Sequence, residues 1–171
     1  PDTHMMLALM RDGFHEQAAG GKVGLRSDGS PTLDYTLTDF IMDGARRSML
    51  QMAEIQFAAG AKSVYPAHEL AEHYPTWAAA KQALQTLPIA PLLTKISSAH
   101  VMGGCGMAGD EKRGVTRPDG VHWHIENLSI HDGSIFPTSI GANPQLSIYG
   151  AVNRLAQGLV KRLTNQDVAL A

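Results

Sequence analysis

The chain has 171 residues, 44% of them hydrophobic and 18% charged, with a formal net charge of −2. That length suffices for a domain with its own core, and the charge balance excludes the basic excess that nucleic acid or an anionic membrane surface would require. No apolar run reaches the length of a membrane span, no signal peptide is visible, and a single cysteine, Cys105, rules out an internal disulfide and is compatible with a cytoplasmic or otherwise soluble, reducing setting.

Residues 4–10 (HMMLALM) form a short apolar run, expected as a buried strand or the tail of a helix, with Met5, Met6 and Met10 as core filler. Gly21–Arg26 alternates like a strand, Ser27-Asp28-Gly29-Ser30-Pro31 is a turn, and Thr32–Tyr35 resumes an extended segment, so a hairpin is expected. Thr38 or Asp39 is placed to cap a helix whose apolar stripe is Met42, Ala45, Met49, Met52 and Ile55. Gly60 ends that helix, and Arg46 and Arg47 are expected on its wet face. Lys62–Tyr65 reads as a short strand and Thr76–Leu87 as a short helix broken by Pro88 and Pro91, with Trp77 a core or domain-interface residue. No linker, repeat or low-complexity segment divides the chain.

The region 97–163 carries the chemistry. It is expected as a strand bearing His100, a loop over 106–120, a strand through Val121–Ile130, an Asp132-Gly133-Ser134 turn and a final helix. In that helix Leu146, Tyr149, Val152, Leu155, Ala156, Leu159, Val160 and Leu163 recur at the helical period. Asn143 suits its cap and Pro144 its first helical position. The free N–H groups of such a first turn form a partly positive donor cluster, fit for an anion or an electron-rich carbonyl.

His100-Val-Met-Gly-Gly-Cys, then Ile125-Glu-Asn-Leu leading into His131-Asp-Gly-Ser-Ile-Phe-Pro137, then Gly141-Ala-Asn-Pro144 and a helix, resembles the C-terminal signature of the glucose-methanol-choline (GMC) flavoprotein oxidoreductases. The Gly-Gly-Cys after the histidine and the Asn-Pro after Asp-Gly-Ser are most similar to the branch holding bacterial cholesterol oxidases and long-chain alcohol oxidases. The close likeness covers roughly residues 97–163, with a looser one over 20–66. It implies an α+β chain, part of an α/β FAD-binding flavoprotein. Residues 1–96 would be a portion of the substrate-binding domain, with antiparallel sheet and helices. Residues 97–171 would complete the active site and add a strand and helix to the FAD-binding domain. The chain starts at Pro1-Asp2-Thr3 without an initiator methionine and shows no strand–Gly-x-Gly-x-x-Gly–helix series. It is therefore expected to be the C-terminal part of a longer protein, whose upstream part or a companion chain supplies the FAD pyrophosphate site.

The resemblance further implies oxidation of a small-molecule alcohol by an alcohol oxidase or dehydrogenase using FAD. His100 stands at the family's active-site histidine and Asn143 at its second active-site position. A histidine can take the hydroxyl proton, and an amide can donate to the same oxygen without competing for that proton. Asp132 and Gly133 stand at the flavin-contacting turn, where Gly133 would admit close approach of the backbone. Pro144 and Gln145 open the helix whose N–H groups would face the reduced flavin. Two other readings of the residues remain. His122, His124 and His131 could form a metal-binding or non-catalytic β-rich module, although no carboxylate completes a set. Cys105, five residues after His100 and flanked by Met102 and Met107, is only weakly a nucleophile or soft ligand, and the resemblance implies neither a nucleophile nor a metal.

Overall fold

In this computed structural model the described residues are 2–18 and 20–167. The chain divides into two compact units, Pro1–Ser97 and Ser98–Ala171. The described residues hold three α-helices and one antiparallel pair of strands, an α+β composition. Among the described residues, no helix is long and apolar enough to cross a membrane.

In the first unit, β1 (Gly21–Leu25) pairs antiparallel with β2 (Pro31–Tyr35), with Val23 opposite Leu33 and Lys22 opposite Asp34. The expected turn closes the hairpin, with Asp28 accepting from the Ser30 N–H and hydroxyl. The helix α1 (Asp39–Ala58) begins where expected: the Thr38 hydroxyl accepts from the Ile41 N–H. Its buried line is Ile41, Ala45, Met49 and Ala53, a four-residue spacing on one face. This line sits one residue off much of the expected stripe, and Ile55 is largely exposed. The helix α2 (Trp77–Thr86) is capped by Thr76, whose hydroxyl accepts from the Ala79 N–H at 3.2 Å. Ala80 and Leu84 of α2 are fully buried in one core with Met49, Ala53 and Val64. Trp77 packs against that core, as a core residue would.

Three expectations for this unit are corrected. Arg46 does not lie on the wet face: its guanidinium donates to the carbonyls of Leu84 and Leu87 at the C-terminal end of α2. The reason is in the sequence, since the residue four places after Leu84 is Pro88, which has no N–H to offer that carbonyl. Lys62–Tyr65 contributes one isolated bridge, Val64 with Tyr74, and not a strand. Residues 4–10 take no regular structure, and Met5, Leu7 and Leu9 are exposed. Of the expected core methionines, Met6 and Met10 are half-buried, Met10 beside Gly44 of α1.

The second unit is built around α3 (Gln145–Thr164) and a 3₁₀ turn, Gly133–Ile135. Its buried apolar side chains include Val121, Ile135 and Leu155. Neither strand expected here forms. The N–H groups of Gly103, Cys105 and Met107 donate to the carbonyls of Gly133, Ser134 and Ile135. The partner of this segment is thus a helical turn, whose carbonyls point one way, and no ladder can propagate. The path is opened by Gly103 and Gly104, both at positive φ. Val121–Ile130 folds back on itself: the Leu128 N–H donates to the Ile125 carbonyl, and His122 and Ile130 bond across to Leu128 and Gly120. Glu126-Asn127 thus sits in a turn, consistent with the turn preference of Asn. The α3 stripe exists, but only Leu155 is buried, while Leu146, Tyr149 and Leu163 are exposed.

Candidate active site

The site is set by how α3 begins. Pro144 is buried, holds a helical backbone (φ −87°, ψ −4°) and is itself the cap residue, with no side-chain capping bond. The expectation that Asn143 caps and Pro144 fills the first helical position is therefore corrected by one residue. The first turn closes when the Ile148 N–H donates to the Pro144 carbonyl at 2.9 Å. Proline fixes its own φ and disfavours helical backbone in the residue before it, so the helix cannot extend back through Asn143. The N–H groups of Gln145, Leu146 and Ser147 are left without intrahelical acceptors at the positive end of the helix.

Because it does not cap, the Asn143 side chain is available elsewhere. Its Nδ2 lies 3.4 Å from His100 Nε2. In a neutral imidazole with an unprotonated Nε2, the single lone pair of that nitrogen accepts from this amide, and it is free for another proton only when the amide turns to another acceptor. The two residues are 43 apart in sequence and meet through the fold. They line one open cleft of about 260 Å³ with Ala99, Pro144, Gln145, Ile148 and Tyr149.

Asp132 and Gly133 are not among the residues lining that cleft. Asp132 caps the 3₁₀ turn, its Oδ1 accepting from the Ser134 N–H at 2.8 Å and from the Ser134 hydroxyl. These bonds, the hydroxyl's first and the backbone's second, hold its carboxyl below the usual range, against a smaller opposing effect of desolvation. Gly133 is buried, and a Cβ placed on it would meet Ile148 Cδ1 at 3.0 Å and the Val101 carbonyl at 3.3 Å. Ile148 in turn lines the cleft, so Gly133 backs its wall from behind. A side chain there would press on both neighbours.

The three histidines of the metal-binding alternative do not form a donor set. His122 Nδ1 accepts from the His124 N–H at 3.0 Å, while His131 Nε2 pairs with the Ser129 hydroxyl. Among the described residues there is no group of three or more metal-ligating side chains. Two residues of the cleft, Ile148 and Tyr149, escaped sequence reasoning as site residues; Gln145, expected at the site, donates from Nε2 to the Tyr149 phenol oxygen at 2.7 Å. The signal that could have found the pair is the Gln-x-x-x-Tyr spacing, which puts both on one helix face.

A histidine and an amide thus converge on one cleft beside the open end of α3. The family model described as GMC oxidoreductase matches residues 17–151, and the chain belongs to that family. It is similar to the long-chain-alcohol oxidase FAO4A of Arabidopsis thaliana, 28% identical over 71% of this chain and 18% of the relative. Long-chain-alcohol oxidase FAO4B of the same plant is 26% identical over 96% of this chain and 22% of the relative. A cholesterol oxidase of Acinetobacter baumannii is 32% identical over 42% of this chain and 13% of the relative. The chain thus spans about a fifth of the length of the plant relatives it matches.

Proposed function

We propose that this chain is the active-site-bearing C-terminal part of an FAD-dependent oxidoreductase that converts the CH–OH group of an alcohol to an aldehyde or ketone. The observation that carries the reading is the 3.4 Å approach of Asn143 Nδ2 to His100 Nε2 inside one cleft of a GMC-family chain. His100 Nε2 is the base: it accepts the proton of the substrate hydroxyl. Asn143 donates its amide hydrogen to the same oxygen, which fixes the carbinol and stabilises the charge that grows there as the proton leaves. FAD, when bound, supplies the hydride acceptor. The residues present fit one edge of that group. The unpartnered N–H groups of Gln145 to Ser147 and the buried Pro144 give a rigid donor surface suited to negative charge. Gly133 acts behind the cleft through Ile148, and Asp132 keeps the turn that carries Gly133 in shape. The upstream part of the same protein, or a companion chain, completes the cofactor site.

The relatives' printed names point to long-chain alcohols and cholesterol, so an apolar alcohol is the proposed substrate class. The test is substitution in the full-length parent protein. His100→Ala and Asn143→Ala are each expected to cut turnover by about 100- to 10,000-fold, the range for a positioned proton acceptor, with flavin content unchanged. Turnover within about 10-fold of the parent for His100→Ala, below the range for a positioned base, would refute the assignment.

A further inference from the structure

We propose that Tyr149, held by Gln145, is a substrate-positioning residue that makes the cleft select alcohols whose carbinol bears an apolar chain or ring. The inference rests on the reading of His100 and Asn143 as the alcohol site. Gln145 and Tyr149 are one helical turn apart on α3, and the amide of the first donates to the phenol oxygen of the second at 2.7 Å. A tyrosine on an exposed helix face would otherwise sample several rotamers. The bond selects one and occupies the polar tip, which leaves the ring face for contact.

That ring is 59% exposed in the chain and lines the same cleft as the catalytic pair. Beside it is Ile148, whose Cδ1 is backed by Gly133. The cleft therefore has a polar corner, His100 and Asn143, and an apolar wall, Tyr149 and Ile148. Among the described residues no Lys, Arg, Asp or Glu lines it. A substrate whose hydroxyl sits in the corner must lay its next few carbons along the wall. An aromatic face on a two-torsion side chain is well suited to that contact, at low entropic cost.

The experiment uses the full-length parent holoenzyme and a series of n-alkanols from ethanol to decanol. It reads kcat and KM for each, and by calorimetry the Kd of the matching alkyl methyl ethers, which carry no CH–OH. The parent is expected to gain about 4-fold per methylene in both kcat/KM and ether affinity over the carbons that the wall covers. Tyr149→Ala is expected to flatten both series, with KM and Kd rising more than kcat falls. Tyr149→Phe and Gln145→Leu both keep the ring and both remove the bond that fixes it, so each should lose the same part of the slope and less than Tyr149→Ala loses. Parallel series for Tyr149→Ala and the parent would overturn the inference. Two controls separate it from the reading beneath it. If His100→Ala abolishes oxidation and Tyr149→Ala leaves the slope intact, only this inference falls. If the parent oxidises no alcohol and binds no ether, both fall.

Discussion

Replacing Arg46 tests the packing of the first unit at its least expected point. Its guanidinium reaches from α1 to the carbonyls of Leu84 and Leu87, the latter at 2.9 Å. Both are end-of-helix acceptors, and Pro88 denies Leu84 its ordinary i+4 donor. The Leu84 side chain is fully buried, so its carbonyl has little recourse to water. Hydrogen bonds to a charged group contribute about 1.5–3 kcal/mol each, and ordering an arginine costs up to about 2 kcal/mol in side-chain entropy. Arg46→Leu should therefore destabilise the unit by about 2 kcal/mol net. Lysine can satisfy one carbonyl and not both, so Arg46→Lys should lose about half of that. The neighbouring Arg47 is the internal control. It makes an exposed i,i+4 pair with Asp43 at 2.8 Å, and Arg47→Ala should cost no more than ~0.5 kcal/mol. Urea unfolding followed by the fluorescence of Trp77, which packs on this core, supplies the readout. Equal midpoint shifts for Arg46→Leu and Arg47→Ala would refute the reasoning.

Leu84→Ala, at a side chain with no exposed surface in the same core, should cost about 3 kcal/mol in the same assay, and a loss under ~1 kcal/mol would mean the site collapses freely. Gly133→Ala should destabilise the second unit by about 1–3 kcal/mol, because the new Cβ meets Ile148 Cδ1. Adding Ile148→Val, which removes that atom, should restore part of the loss; no rescue would show that the Val101 carbonyl, at 3.3 Å, is the obstacle. Asp132 has a folded-state pKa held down by Ser134, so its contribution is present above the unfolded carboxylate value of about 3.9 and is lost as pH falls through the lower folded value. Ser134→Ala should therefore lower stability at neutral pH and converge with the parent in acid, and a constant difference down to the acid limit would contradict this. If the proposed division of the site holds, the isolated chain should bind FAD only weakly; a tight one-to-one complex by fluorescence titration would refute it.

The parts of the fold that were legible in sequence are those written locally. Thr38 caps α1 where a hydroxyl precedes a helical pattern, and the Asp28 turn closes the hairpin. What stayed hidden depends on partners. The segment after His100 docks on a 3₁₀ turn and not on a strand, which no period in the sequence reports. Arg46 looked solvated because its acceptors are 38 and 41 residues away. At the site, the convergence of His100 and Asn143 was expected from resemblance to a family. The route differed by one residue: Pro144 takes the cap, and this leaves the Asn143 amide for His100. Tyr149 was read only as part of the apolar stripe because a cleft wall on a helix has the same spacing as a core face.

The most direct test of the central claim is a single-turnover measurement. The full-length parent and its His100→Gln variant are mixed anaerobically with a saturating apolar alcohol, and the loss of oxidised-flavin absorbance is followed in time. The account expects rapid bleaching in the parent and a rate about 100- to 10,000-fold slower in the variant, with the flavin still bound and the alcohol still saturating. Equal bleaching rates in the two proteins would contradict the assignment of His100 as the base, and no bleaching in the parent would contradict alcohol oxidation itself.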